Sequence, residues 1–352
     1  MKEHNINIVT KHFPLGRGLG GLLLFLLLCA CSPQPTYHHH EGMVFGTVYS
    51  ITYLCDSDLQ AEVDQTLQQV DNALSMFNDQ SVISAINRGE HFVPNTTEGD
   101  MFLEVFFLAQ QVSDDTGGAF DITVAPLVNA WGFGFRQGVM PDSAAVDSIR
   151  QFVGWQQVSY WTERGSRGIS KHDTRAMFDC SAIAKGYGVD AVARMLANHG
   201  CANFMIEIGG EVVTCGQSPS HQDWRIGVTK PTDDTLSVQG ELQTILAVSN
   251  AAMATSGNYR NFYYRDGRKY AHTIDPHTGR PVQHELLSAT VIAPTCAIAD
   301  AYATAFMVLG LEKATEVLDR HPELMAYFIY TDPAGELSTW YSDLMKSLII
   351  DP

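Results

Sequence analysis

Two segments, residues 270–282 and residues 299–305, constrain most strongly what this chain can fold into. The first predicts a strand that ends in a tight turn, because a proline and a glycine interrupt it. The second is rich in alanine and predicts the beginning of a helix. Asp300 and Thr304 are four residues apart on that helix, so their oxygen atoms project from one face, about 5–6 Å apart.

A carboxylate and a hydroxyl on one helix face suit Mg²⁺, a hard cation that prefers oxygen ligands, and a phosphate bound to that cation. The alternative is that Asp300 only complements the positive amino end of the helix dipole. These two segments leave both interpretations open.

Strand-like and helix-like hydrophobic patterns are mixed along the chain without a regular alternation of strand, helix and strand. This arrangement predicts an α+β fold, with mixed or antiparallel sheets and packed helices in a single catalytic unit. The predicted strands are residues 46–54, 288–293, 326–330 and 337–341, the last two as a hairpin. The predicted helices are residues 59–74, 101–112 and 183–196, and Gly200 follows the end of the third.

The amino-terminal residues have the pattern of a bacterial lipoprotein signal. Residues 1–30 combine basic side chains with an apolar run at residues 22–28, which is shorter than the roughly 20 residues of a membrane-spanning helix. A lipobox-like sequence ends at Cys31, so we expect cleavage before Cys31 and attachment of a diacylglyceryl group to its thiol. The alternative is an ordinary secretory signal.

Residues 31–42 are rich in proline and histidine and predict a tether, which leaves residues 43–352 as the catalytic domain. The expected location is therefore the cell envelope, with the protein anchored by lipid and facing the periplasm or the extracellular side.

Five cysteines lie beyond the predicted anchor, and their odd number means that they cannot all pair. Export makes a disulfide possible, and Cys201 and Cys215 are nearest to each other in sequence. Cys180 and Cys296 have apolar neighbours and are expected to be buried free thiols.

The formal net charge of −17 argues against a nucleic-acid partner, because phosphate backbones attract basic surfaces. It does not exclude a small phosphorylated ligand, whose charge a bound cation and backbone N–H groups can balance locally.

Four further motif segments complete a pattern that resembles the ApbE family, the FAD:protein FMN transferases. They are residues 119–134, 178–188, 206–213 and 256–260. With the two segments above, the resemblance runs in order from about residue 43 to about residue 309. It implies Mg²⁺-dependent transfer of FMN from FAD to a threonine hydroxyl of a flavoprotein, with a phosphoester bond formed and AMP released.

The resemblance also implies an acceptor. Family acceptors include subunits of the sodium-pumping NADH:quinone reductase and of the Rnf complex, recognised by an Asp-x-x-Thr-x-Ala-Thr-like motif. Two alternatives remain: a periplasmic FAD pyrophosphatase, since water could replace the threonine, and a lipoprotein that only binds or stores flavin. Asp300 and Thr304 disfavour simple storage, because flavin stacking needs no metal.

Matched to the family motifs, the implied metal ligands are the Ala182 carbonyl, Asp300 and Thr304. Some relatives carry a second aspartate where this chain has Ala303. The implied flavin-binding positions are Phe45, Phe77, Ala119, Phe120, Asp121, Asp179, Lys185 and Ile274. Lys185 stands where many relatives have glutamate, and Phe45 and Phe77 fit equally well as flavin contacts or as ordinary core aromatics.

Two histidines lie in the same region. His272 has an ordinary pKa near neutrality and could act as general base toward the acceptor hydroxyl, or could be a structural hydrogen-bond donor. His277 lies in the turn and is expected to be exposed and passive.

Overall fold

The computed structural model describes residues 35–134, 140–231, 241–258, 262–265 and 267–350. The predicted signal peptide and the predicted lipidation residue Cys31 lie outside these residues, as does part of the motif at 256–260. From Thr36 the chain forms one compact unit. Within the described ranges, no helix is long and apolar enough to cross a membrane.

The helices of this unit are α1 (Gln60–Leu74), α2 (Val82–Asn87), α3 (Thr97–Asp115), α4 (Ala125–Ala130), α5 (Ser143–Arg150), α6 (Ala184–Asn198) and α7 (Cys296–Leu318).

The strands are β1 (Thr36–Val44), β2 (Thr47–Cys55), β3 (Val158–Glu163), β4 (Ser166–Lys171), β5 (Asn203–Ile208), β6 (Glu211–Cys215), β7 (Trp224–Thr229), β8 (Leu242–Val248), β9 (Ala251–Gly257), β10 (Phe262–Arg265), β11 (Arg268–Ala271), β12 (Ile274–Asp275), β13 (Arg280–Pro281), β14 (Leu286–Ala293), β15 (Met325–Thr331), β16 (Leu337–Tyr341) and β17 (Ile349–Ile350).

An eight-stranded sheet with the order β1-β2-β5-β6-β9-β14-β15-β16 forms the centre of the fold, and every neighbouring pair in it is antiparallel. A three-stranded sheet with the order β17-β8-β7 and three small hairpins complete the strands of the described residues. The predicted α+β class with antiparallel sheets is therefore confirmed, as are the strand β14 and the hairpin β15–β16.

The large sheet is covered differently on its two faces. On one face, alternate residues such as Ala254 and Val291 belong to the main core, which α3, α6 and α7 also form. On the other face, Met253 and Ile329 pack against Leu246 of the three-stranded sheet. This alternation along single strands is what a sheet buried on both faces requires.

The predicted tether is wrong for residues 36–42, because they belong to β1. That strand pairs with β2 from Thr36↔Cys55 to Val44↔Thr47, through a two-residue turn at Phe45 and Gly46, where φ is positive at both residues. The histidines expected in a solvated linker are therefore held on a strand, and His40 Nε2 lies 2.9 Å from Asp58 Oδ1. Pairing with β2 makes residues 36–42 a strand, although their composition is that of a tether.

The disulfide joins Cys55 to Cys201, which are 146 residues apart in sequence, rather than the pair nearest in sequence. Cys180 and Cys296 are buried and free, as expected, and Cys215 is a partly exposed free thiol. The disulfide links the end of β2 to the segment that leads into β5, next to the point where these two strands pair through Leu54↔Asn203.

Helices α6 and α7 pack closely at their amino ends. A Cβ atom on Gly186 would lie 2.4 Å from the carbonyl oxygen of Cys296, so only glycine allows this approach. The Gly186 N–H donates to Asp300 Oδ2 on α7 at 3.1 Å. In return, Asp190 on α6 accepts the N–H groups of Cys296 and Ala297, each at 2.8 Å.

Helix α7 is interrupted at Gly310, where φ is 75° and ψ is 174°. His284 Nε2 donates to the carbonyl oxygen of Met307 at 2.8 Å, next to this break. A backbone acceptor near the break is thus satisfied by a side chain from outside the helix.

Candidate functional site

The amino ends of α6 and α7, the end of β9 and the turn after β11 surround a cavity of about 420 Å³. This is within the usual size range of small-molecule sites. Nearly all of the predicted site residues line it, namely Phe77, Ala119, Phe120, Asp121, Asp179, Ala182, Lys185, His272, Ile274, Asp300 and Thr304. The structure thus brings together residues as far apart in sequence as Phe77 and Thr304.

Phe45 is the exception among the predicted residues. It lines a second cavity of about 510 Å³, together with Val70 and Leu74 of α1. Its ring lies against Gly188, where a Cβ would be 2.7 Å from Phe45 Cε2, and it packs on the core. Phe45 therefore lines the second cavity and also packs on the core.

Phe77 borders both cavities and is 68% exposed, so it is not a core aromatic. Met76, Ser181 and Lys185 are also shared between the two cavities. The two spaces are consequently neighbours, with an exposed aromatic ring at their common border that a planar ligand could stack on.

Three ionisable side chains, Lys185, Glu211 and Asp300, lie close together in the first cavity. Lys185 Nζ lies 2.5 Å from Glu211 Oε1. Glu211 and Asp300 are each only 2% exposed. Glu211 Oε2 is buried and has no hydrogen-bond partner among the described residues. If both carboxylates are ionised, the single positive charge of Lys185 balances only one of them, so the cluster carries a net negative charge.

The pKa values reflect this crowding. Burial raises the pKa of Asp300, although the charge of Lys185 and the Gly186 N–H oppose the rise. Burial also raises the pKa of Glu211, opposed by Lys185 and reinforced by Asp300. For Lys185, burial alone would lower the pKa, but the negative charges of Asp300 and Glu211 outweigh it and raise the pKa. An additional cation would relieve the repulsion between the two carboxylates.

Neutral oxygen atoms lie beside the carboxylates and could also act as metal ligands. The Thr304 hydroxyl lies 3.1 Å from the Ser256 hydroxyl at the end of β9. The Ala182 carbonyl precedes the first hydrogen-bonded turn of α6, because that helix begins at Ala184. Carboxylate, hydroxyl and carbonyl oxygens fit a hard cation such as Mg²⁺. The described residues contain no cluster of three His, Cys, Asp or Glu side chains that would hold a metal without such neutral donors.

Asp121 lines the cavity but is already engaged within the protein. Its carboxylate accepts the Thr123 N–H at 2.8 Å, the Thr123 hydroxyl at 2.7 Å and the Trp155 N–H at 2.9 Å. Burial raises its pKa, and these hydrogen bonds oppose the rise. Asp121 therefore shapes the wall of the cavity by holding two loops together.

Asp179 reaches the cavity from the turn before α6. Its Oδ1 accepts the Ser181 N–H at 2.8 Å, and its own N–H donates to the Ile122 carbonyl at 2.7 Å. This pairing joins the segments at 119–134 and 178–188, which explains why both reach one site.

His272 lines the cavity, and its ring lies edge-on to Phe133 with 6.5 Å between the centroids. His277 is exposed, as predicted, but it is not passive. Its Nδ1 lies 3.1 Å from Asp275 Oδ1 and its Nε2 lies 2.8 Å from the Gly117 carbonyl oxygen. It therefore ties the turn to the loop after α3.

Sequence reasoning missed Glu211 and Ser256 as site residues. Glu211 directly follows the Gly209–Gly210 pair, which forms the turn between β5 and β6 with positive φ at both glycines. A carboxylate placed in a β-rich run just after a glycine turn was the available signal.

Comparison with known proteins agrees with these observations. The chain matches the ApbE family over residues 45–328. It is 37% identical over 325 residues to an FAD:protein FMN transferase of Vibrio cholerae, covering 89% of this chain and 94% of that protein. It is 32% identical over 340 residues to the FAD:protein FMN transferase of Escherichia coli strain K12, covering 93% of this chain and 95% of that protein.

Solved structures give the same result. The flavin transferase ApbE from Vibrio cholerae superposes with a TM-score of 0.78 at 33% identity, covering 89% of this chain and 99% of that one. The apo form of the Pseudomonas stutzeri flavinyl transferase ApbE superposes with a TM-score of 0.76 at 31% identity, covering 90% of this chain and 97% of that one. With its fold, its motif order and these relatives in agreement, the chain belongs to the ApbE family.

Proposed function

We propose that this protein is a Mg²⁺-dependent FAD:protein FMN transferase, which transfers FMN from FAD to a threonine hydroxyl of a partner flavoprotein and releases AMP. The activity follows from the relatives named above. The observation that supports the metal dependence is the pair of buried carboxylates, Glu211 and Asp300, which lie in one cavity with Thr304 and have the single cation Lys185 beside them.

Asp300, Thr304 and the Ala182 carbonyl would hold Mg²⁺ at the amino ends of α6 and α7. When bound, the cation would neutralise charge on the pyrophosphate oxygens of FAD, which is the main requirement of phosphoryl transfer. Lys185 adds a fixed positive charge to the same cluster through its pair with Glu211.

The remaining chemistry concerns the acceptor. Its hydroxyl oxygen forms a bond to the phosphorus on the FMN side of FAD, while the bond from that phosphorus to the AMP oxygen breaks. The hydroxyl proton passes to His272, which lines the same cavity. Phe77, exposed at the border of the cavity, offers a face for the flavin ring.

We also propose that the protein is exported and anchored to a membrane of the cell envelope through lipidated Cys31, with its acceptor on the same side. The lipobox-like sequence supports this location. The Cys55–Cys201 disulfide supports it independently, because disulfides persist mainly outside the cytoplasm. Cys31→Ser should release the protein from membranes or block its processing, and an unmodified mature amino terminus at another residue would contradict the anchor.

The activity is tested by incubating the purified Cys31→Ser protein with FAD and Mg²⁺, with and without a synthetic peptide that contains the Asp-x-x-Thr-x-Ala-Thr motif. We expect a flavin–peptide adduct by mass spectrometry and AMP release that depends on the peptide. A peptide with Ala in place of the acceptor Thr is the control. Equal AMP release with both peptides, together with free FMN and no adduct, would instead identify an FAD pyrophosphatase.

A further inference from the structure

The large sheet opens between β6 and β9 at the candidate site. The two strands pair only from Val212↔Met253 to Thr214↔Ala251. Strand β9 continues to Gly257 and still pairs with β14 there, through Gly257↔Ser288. The last residues of β9 therefore lie beside the β5–β6 turn without β6 as a partner.

Two spaces on opposite faces of the sheet come close together here. Thr255, in the part of β9 that pairs with β14 but not with β6, lines the candidate FAD cavity and also lines a groove on the opposite face. The groove has a volume of about 290 Å³. Gly209 and Glu211 border the cavity, whereas Gly210 and Val212 border the groove. Alternate residues of one turn thus face two neighbouring spaces.

Strand β7 forms the outer wall of the groove. Five consecutive residues of that strand, residues 225–229, line it. Among the described strands β7 pairs with β8 alone, at the edge of the three-stranded sheet. Edge strands offer N–H and C=O groups to an added strand, and an extended peptide commonly binds in this way.

The chemistry of the groove suits a polypeptide rather than a second nucleotide. It holds one carboxylate, Glu207, whose Oε1 already accepts the Gly210 N–H at 2.8 Å. It also holds one exposed cation, Arg225, while the walls include the apolar side chains of Met205, Ile226 and Val228. Mixed apolar and polar walls along a strand edge are typical of main-chain recognition with side-chain pockets.

We propose that the acceptor protein docks in this groove as an extended segment beside β7, with its hydroxyl residue reaching past Thr255 to FAD. This inference rests on the proposed transferase function. FAD must stay bound when the acceptor arrives, so the hydroxyl needs an approach that the nucleotide does not fill. Thr255 lines both spaces, so a segment in the groove would lie next to the FAD cavity on the opposite face of the sheet.

Two variants test the groove without changing the FAD cavity. Arg225→Glu reverses the exposed charge, and Thr229→Trp fills the groove. Arg164→Glu and Thr162→Trp, on the exposed β3–β4 hairpin, are the matched controls. With the motif peptide as substrate, we expect the groove variants to raise the KM for peptide by roughly tenfold or more. The controls should not change it, and FAD affinity measured by flavin fluorescence should be unchanged in all four.

A second measurement tests the mode of binding. Amide hydrogen exchange in residues 224–229 should slow when the motif peptide is added to the FAD-bound protein, because a new strand would protect the free edge of β7. An unchanged KM in both groove variants, or unchanged exchange in β7 at saturating peptide, would overturn the docking site while leaving the transferase function intact. Failure of the wild-type protein to form any adduct would overturn the transferase function, and this inference with it.

Discussion

Asp190 and Asp300 each cap the helix that carries the other. Asp190, on α6, accepts the first N–H groups of α7 from Cys296 and Ala297, and Asp300, on α7, accepts the Gly186 N–H in the first turn of α6. Carboxylates are well suited to this position because helix amino ends carry partial positive charge. Asp300, which is positioned to bind the metal, is therefore also one of the two aspartates whose hydrogen bonds join α6 to α7.

Asp190→Asn tests the hydrogen bonds that join α6 to the amino end of α7. The amide keeps one acceptor oxygen but replaces the other with an NH₂ group, so one of the two N–H groups at the start of α7 loses its partner. We expect a loss of unfolding free energy of about 1–3 kcal/mol in denaturant titration. The Mg²⁺ concentration for half-maximal activity should rise as well, because Asp300 follows only a few residues after the loosened turn. Unchanged stability and unchanged Mg²⁺ dependence would contradict this role.

Asp300→Asn tests the metal ligand, since it preserves side-chain size and still accepts the Gly186 N–H but lacks the charge. Because metal stabilisation of phosphoryl oxygens is worth several kcal/mol, turnover at limiting Mg²⁺ should fall by roughly a hundredfold or more, while the fold persists. Thr304→Val should cost less, since water can replace a neutral ligand. AMP release and circular dichroism check both effects, and near-normal turnover of Asp300→Asn would refute the assignment.

His272→Gln separates transfer from nucleotide binding. If His272 removes the acceptor proton, peptide-dependent AMP release should fall by about 10²–10⁴-fold. FAD affinity, followed by flavin fluorescence, should change little. His277→Gln is the matched control, because that side chain bonds to Asp275 and to the Gly117 carbonyl outside the cavity. Equal losses in the two variants would indicate a structural role for both histidines.

His321 predicts a pH dependence of stability. Its Nε2 lies 3.0 Å from Asp115 Oδ1 and its Nδ1 lies 2.8 Å from Glu323 Oε1, an arrangement in which both ring nitrogens donate only when the ring is protonated. Partial burial would lower the pKa of His321, but its bonds to Glu323 and Asp115 outweigh burial and raise the pKa. The resulting stabilisation is fully present below the unfolded pKa of 6.5 and is lost as the pH rises through the folded value.

Denaturant titrations at pH 6 and pH 8 measure this effect. From pH 6 to pH 8, we expect the unfolding free energy of the wild-type protein to fall further than that of His321→Gln. The difference should be less than about 1 kcal/mol, since the ion pairs of His321 are partly exposed to solvent. His199→Gln, at the exposed C-cap of α6, should retain the wild-type pH dependence. The same pH dependence in His321→Gln and in wild type would rule out His321 as its source.

Much of the fold follows from local patterns. Helices α1 and α6 and strands β2 and β14 were predictable because their apolar residues recur with clear helical or strand periods. Helix α3 begins at Thr97, earlier than predicted, because the Thr96 side chain caps it by accepting the Gly99 N–H at 3.3 Å. Its first turn contains glycine and acidic residues, so the helical repeat of apolar residues does not extend to it in the sequence.

The errors concern contacts between distant parts of the chain. Strand β1 exists because β2 pairs with it along its whole length, and composition alone predicted a tether. The disulfide partner of Cys201 is on β2, far away in sequence. In the site, the spacing of Asp300 and Thr304 was informative, whereas the pairing of Lys185 with Glu211 depends on how α6 meets β6. Such pairings are set by tertiary packing, which sequence periods do not encode.

The break at Gly310 divides α7 into two helical parts joined by one non-helical residue. The first part ends beside a carbonyl bonded to His284 and carries Asp300 and Thr304, while the second leads to the Asp115–His321 contact. In an unbroken helix of 23 residues, a tilt of the carboxyl end would also tilt the part that carries the site residues. With Gly310 at positive φ between the parts, the helical hydrogen bonds of the first part do not fix the direction of the second. The positions of Asp300 and Thr304 therefore do not depend on a helix that is unbroken as far as the surface.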